Sequence, residues 1–181
     1  FQRKKKFLKE NSDIKSNILD MKIDTPDGKD TRNLVYDIKD FGNANLINLD
    51  INRGKQIIMV ISLSCHFSEM ALDMILRDEK AFKIFSKYGN IVILDFSPES
   101  LLFTKKHYYD FDKIYVAYSR KSFKDMNMDE YPGIYFIDNG KVLYSNTGWN
   151  RDKSLNEFLS AAEKFNMIAD DNLILKFSAA D

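Results

Sequence analysis

The chain predicts an α/β protein, a central mixed sheet with helices on both faces, and three observations carry that expectation. Residues 56–62 (Gln56-Ile57-Ile58-Met59-Val60-Ile61-Ser62) form a continuous apolar run rich in β-branched side chains, as a strand covered on both faces requires. Directly beyond it the apolar period becomes helical, with Met70, Ala71, Met74, Ile75, Ala81, Phe82 and Phe85 on one face. Asn139-Gly140 then separates two extended apolar runs, 133–137 and 141–144. This is the strongest short-range hairpin signal, because both turn positions favour positive φ.

The remaining elements follow in chain order. Residues 14–23 alternate imperfectly as a strand, and 25–29 (Thr-Pro-Asp-Gly-Lys) signal a turn. Short extended pieces at 34–38 and 45–49 precede the central strand. The charged stretch Arg77-Asp78-Glu79-Lys80 bends or divides the helix that follows it, and Tyr88-Gly89-Asn90 ends that helix. Residues 91–96 read as a second buried strand. Pro98 and Glu99 open a helix with Leu101, Leu102 and Phe103 on its inner face. A third strand is expected at 113–118 and a short helix at 122–128. After the hairpin, Ser154 and Glu157 have capping-box spacing ahead of a helix faced by Leu155, Phe158, Leu159, Ala162 and Phe165. Residues 172–177 read as an extension that packs on the domain or is covered by a partner. Strand–helix–strand units imply parallel pairing with right-handed crossovers, and the hairpin makes the sheet mixed.

Composition narrows the function classes. Of 181 residues 44% are hydrophobic, with 14 Phe and 9 Tyr, enough for a sizeable core. Lys plus Arg and Asp plus Glu both number 27, so the whole molecule is no magnet for nucleic acid or membrane. The one basic cluster, Arg3 to Lys6 with Lys9, reads as a solvated terminus. No transmembrane stretch or signal peptide is visible, and the chain opens on Phe1, so a lipid or membrane tether upstream of the basic run stays open.

The chain contains one cysteine, Cys65, at the junction between the central strand and its helix. Unpaired N–H groups and the helix dipole there favour thiolate over thiol, and His66, if protonated, adds to that. Such a thiolate attacks disulfides, but resolving the mixed disulfide needs a second thiol, and Ser68 occupies i+3. The plainer reading is a small, partly buried hydrophobe. With only His66 and His107 in the chain, no recognisable ligand spacing marks a metal site and no cofactor is expected. A hydrolase pairing Cys65 with either histidine lacks a motif for the third residue.

Taken together, three stretches resemble the thioredoxin fold, in particular the TlpA-like and ResA-like thiol-disulfide oxidoreductases. Residues 49–60 resemble that family's lead-in strand, Gly54-Lys55 turn and first central strand. Cys65-His66-Phe67-Ser68 falls where the family has C-x-x-C, and residues 131–142 are similar to its cis-proline, strand, Asp-x-Gly-Lys turn and return strand. Gly148 stands where the family often has glycine. The resemblance implies Cys65 as attacking cysteine, Ser68 at the resolving position and Pro132 as the proline facing the site. It gives Tyr131 the backbone that pairs with an extended substrate, a role unpaired backbone beside a reactive sulfur also supports physically. It divides the chain into an extension (1–44) and a thioredoxin-like domain (45–181).

Ser64 departs from the family's usual Trp, and Ser68 removes dithiol cycling. A Cys-to-Ser replacement made to trap mixed disulfides would leave the same serine, and the native gene sequence decides that. The leading expectation is therefore monothiol exchange with protein or low-molecular-weight thiols and disulfides. The alternative is a non-catalytic thioredoxin-like module that binds a partner, with His66, Phe67, Tyr131 and Trp149 as the contact residues. The family's usual place outside the cytoplasm sets the expected localisation.

Overall fold

Ile57, Ile58, Met59 and Val60 are fully buried and Ile61 nearly so, because the strand that carries them lies between two others. The computed structural model describes residues 22–23, 32–38, 43–94 and 111–168. Its strands are β1 (Lys22–Ile23), β2 (Leu34–Ile38), β3 (Asn43–Asn48), β4 (Lys55–Ile61), β5 (Gly89–Ile93), β6 (Ile114–Ala117), β7 (Gly133–Asp138) and β8 (Lys141–Thr147). They form one sheet in the order β1-β3-β2-β6-β5-β4-β7-β8. Strand β4 runs parallel to β5 and antiparallel to β7, and β5 runs parallel to β6. The central sheet is therefore mixed, as the hairpin and crossover signals require.

The hairpin forms at Asn139 (φ 47°) and Gly140 (φ 80°), both left-handed. A Cβ at Gly140 would also overlap the Asn52 side-chain oxygen, so glycine is required there twice over. A bulge between Phe136 and Ile137 shifts the β7–β8 register, and β8 runs to Thr147, beyond the expected 144. Strands β2 and β3, marked in the sequence only as two short extended pieces, pair antiparallel with each other. They join the other side of the sheet, with β2 antiparallel to β6 through Val35↔Ala117. The expected division at 44/45 runs through β3, and strands from both sides of it share the sheet.

The sheet's two faces are covered differently. Helices α1 (His66–Arg77), α2 (Glu79–Tyr88) and α3 (Ser154–Lys164) pack Leu72, Ile75, Ile84, Phe85 and Phe158 against Ile57, Met59, Ile61, Ile134 and Phe136. Among the described residues the opposite face is covered by irregular chain: Leu49, Ile51, Phe123, Met126 and Met128 lie over Val35, Ile58, Val60, Val92, Tyr135 and Ile137.

Several local expectations are refined. The charged stretch does divide the first helix: Asp78 is extended (φ −90°, ψ 114°), ends α1, and caps α2 by accepting from the Ala81 N–H at 2.8 Å. Gly89 belongs to β5, where a Cβ would overlap the Phe85 carbonyl oxygen and press on its ring. The helix expected at 122–128 is instead a 3-10 turn, Arg120–Ser122, followed by irregular chain. Phe123, Met126 and Met128 all enter the core, and the Asn127 side chain accepts from the Asp129 N–H, a local bond that competes with helix. The capping box is not formed. Ser154 is the first helical residue, its hydroxyl accepts from the Asn150 N–H at 2.8 Å, and Glu157 accepts from the Asn146 side chain. The expectations for residues 3–9, 14–21, 25–29, 95–103, His107 and 172–177 lie outside the described residues.

A candidate thiol site where β4 meets α1

The chain leaves β4 at Ile61, turns through Ser62-Leu63-Ser64, and reaches Cys65 as the N-cap residue of α1. Extended backbone at Cys65 (φ −90°, ψ 116°) lets its N–H bond the Ser62 carbonyl at 3.1 Å. Its own carbonyl accepts from Ser68 and Glu69 N–H at 3.1 and 3.2 Å, closing the first helical turn. The Cys65 side chain makes no capping bond, so its sulfur is free to project elsewhere. The thiol is half-buried and donates to the Tyr131 carbonyl oxygen, with Sγ···O 3.7 Å. It stands at the electropositive end of the α1 dipole.

Residues 66 positions apart in the chain meet here because β4 and β7 are neighbours. Val60 pairs with Gly133, so the end of β4 and the start of β7 lie side by side. The Tyr131–Pro132 peptide bond is cis. Pro132 is buried, and its carbonyl accepts from the Gly148 N–H at 2.8 Å, which ties the start of β7 to the chain beyond β8. Tyr131 is half-buried and presents main chain to the sulfur.

Ser68 lies one helical turn after Cys65 and is buried. Its hydroxyl accepts from the Ser62 N–H at 3.3 Å, so it braces the turn that carries the cysteine. Ser62 and Ser64 hydroxyls stand 3.0 Å apart within the same turn. His66 and Phe67 are exposed beside the sulfur, their rings tilted with centroids 6.1 Å apart; Phe67 is 52% exposed, the largest apolar exposure near the site.

Trp149 is corrected as a contact residue. It is 5% exposed, packs in the helix-side core, and directs its indole N–H to the Met74 sulfur at 3.1 Å. A large amphipathic ring is most stable with its body in the core and its N–H paired, and α1 offers both. Trp149 therefore supports α1 from below and offers no ring to a partner.

Three groups that hold the Tyr131 segment carry no clear signal in the sequence. The Tyr135 phenol donates to the Asn127 carbonyl at 2.6 Å, the Thr147 hydroxyl to the Glu130 carboxylate at 2.7 Å, and Gly133 leaves room for the Tyr135 ring. Only the pattern of glycine followed two residues later by a same-face tyrosine points to any of them. Burial raises the ionisation of Tyr135 above the ordinary phenol value; the backbone hydrogen bond at Asn127 offsets part of the rise, and the nearby Glu130 carboxylate adds to it. Among the described residues no three His, Cys, Asp or Glu side chains gather as a metal site, and no helix is long and apolar enough to cross a membrane.

The sheet, its helices and the meeting of Cys65 with the Tyr131 carbonyl define a thioredoxin-like fold. The chain is similar to an uncharacterized thioredoxin-like protein from Porphyromonas gingivalis (16% identity, TM-score 0.51, 72% of this chain and 87% of that one). It is also similar to the thioredoxin domain of a thiol-disulfide oxidoreductase from Bacteroides vulgatus (14% identity, TM-score 0.51, 78% and 99%). No family model and no curated protein matches the sequence.

Proposed function

We propose that this protein carries out thiol-disulfide exchange through the single thiol of Cys65, within the TlpA-like and ResA-like branch of thioredoxin-like proteins. The observation that carries the reading is the half-buried Cys65 sulfur at a helix start, uncommitted to capping and 3.7 Å from the Tyr131 carbonyl. The Cys65 thiolate attacks one sulfur of a substrate disulfide R–S–S–R′. A Cys65–S–S–R bond forms and R′S⁻ leaves with the electron pair of the broken bond. An external thiolate then attacks the R sulfur, releasing Cys65 thiolate and a new disulfide between R and that thiol. Ser68 cannot perform this second step. It steadies the turn through Ser62, and Pro132 holds the main chain on which an extended substrate docks.

The test is mass spectrometry after incubation with oxidised low-molecular-weight thiols and disulfide-bearing peptides, with alkylation rates measured against pH. The expected result is a Cys65 mixed disulfide that added thiol reverses. Absence of that adduct, with an alkylation profile like that of a free cysteine, overturns the reading.

A partner-binding role is favoured by one specific observation, the 52% exposure of Phe67 beside the sulfur. If Cys65→Ala preserves partner binding while Phe67→Ala or Tyr131→Ala abolishes it, binding replaces exchange as the function. An extracytoplasmic location is part of the proposal, and cell fractionation with an antibody to the native protein tests it.

A further inference from the structure

Side chains alternate along β7, so Tyr135 points away from the helix-side core that receives Ile134 and Phe136. It is 3% exposed beneath segment 123–130. Its ring lies against Gly133, where a Cβ would stand 3.0 Å from the ring, 3.1 Å from the phenol oxygen and 3.2 Å from the Glu130 carbonyl. Its hydroxyl reaches the Asn127 carbonyl at 2.6 Å, a short O–H···O contact. One side chain thus touches both ends of the stretch from Asn127 to Gly133, which wraps around it. Tyr131 lies within that stretch, and its carbonyl faces the Cys65 sulfur. From the other side, Thr147 holds Glu130 and Gly148 holds Pro132.

Packing alone does not require the hydroxyl, since a phenylalanine ring would fill the same space. What the hydroxyl adds is a fixed path for the chain leading to Tyr131. We propose that Tyr135 is a positioning residue: its phenol sets the Tyr131 main chain opposite Cys65, so that an extended disulfide substrate docks with its sulfur in line for attack. This rests on the exchange function proposed above.

Two reactions of the full chain separate the roles. Iodoacetamide alkylation needs only the thiolate. Attack on a short extended peptide carrying a thionitrobenzoate mixed disulfide, read as released thionitrobenzoate, also needs the docking backbone. Tyr135→Phe is expected to slow peptide exchange roughly tenfold, below the roughly hundredfold cost of a full 1 Å misplacement, and to leave alkylation unchanged. Tyr144→Phe, on the neighbouring strand and helix-side face, is expected to change neither. Should Tyr135→Phe fail to fold, Thr147→Val loosens the same segment from β8 and is expected to show the same selective loss. Equal slowing of both reactions, or of neither, overturns the positioning role and leaves the exchange function standing. A native protein that releases no thionitrobenzoate overturns the exchange function and this inference with it.

Discussion

The two faces of the sheet divide the work of building the thiol site. The helix-covered face is aromatic and interlocked: Phe136 lies 5.5 Å from Phe158 and 5.8 Å from Tyr144 between ring centroids, and Phe85 meets Phe111 edge-on at 5.2 Å. The loop-covered face relies on Leu49, Ile51, Phe123 and two methionines from irregular chain, with the Tyr135 phenol beneath them. The first face fixes α1, and with it Cys65. The second face holds the segment that carries Tyr131, whose carbonyl meets the Cys65 thiol. An aromatic wall holds the thiol, and a wall that includes two adaptable thioether side chains holds the main chain facing it.

The largest expected break is on the helix side. Phe136→Ala empties a fully buried ring position and is expected to cost about 3–5 kcal/mol in a denaturant titration. On the loop side, Met126→Ala is expected to cost about 2 kcal/mol, because irregular chain collapses into the space more readily than helices do. An equal cost at both positions would remove the distinction between the faces.

The pH dependence samples both faces at once. Ionisation of Tyr135 is raised by burial, against the opposing Asn127 hydrogen bond and with a smaller rise from Glu130, and that of Tyr144 is raised by burial and then by Glu157. In the unfolded chain these phenols ionise near pH 10, whereas in the native state they hold their protons to higher pH. Their contribution to stability is therefore full below about pH 10 and is lost as pH rises through the folded values. Urea midpoints are expected to fall as pH rises above about 10, and to fall less in Tyr135→Phe. The smallest effect is expected at the site itself. Cys65→Ser, at a half-buried residue without a capping bond, is expected to shift stability by about 0.5 kcal/mol or less, while abolishing mixed-disulfide formation in the mass assay.

Much of the scaffold is legible in the sequence because it depends on local signals. Burial of β4 shows in an unbroken apolar run, the Asn139-Gly140 turn in the need for positive φ, and the break at Asp78 in its charged surroundings. Local signals mislead where a side chain finds a distant partner or a different neighbour. Ser154 and Glu157 have capping-box spacing, yet Asn150 and Asn146 claim them. Residues 122–128 have helical composition, yet Phe123, Met126 and Met128 are all drawn into the core, and one helical face does not hold all three. Trp149 carries no local sign of burial, yet Met74 and the underside of α1 receive it.

By itself the sequence determined a mixed α/β sheet, a thiol at the start of its first helix after the central strand, and the absence of a second cysteine. These follow from residue type and short-range periodicity. The family resemblance already implied that Tyr131 lies beside Cys65; only the tertiary structure decided that the thiol donates to the Tyr131 carbonyl, that Ser68 braces Ser62, and that Tyr135 underlies the segment bearing Tyr131. The meeting of Cys65 with Tyr131 depends on the antiparallel register of β4 with β7, in which Val60 faces Gly133. No local pattern encodes a pairing across so long a stretch of chain, because register is set by which faces the rest of the chain buries.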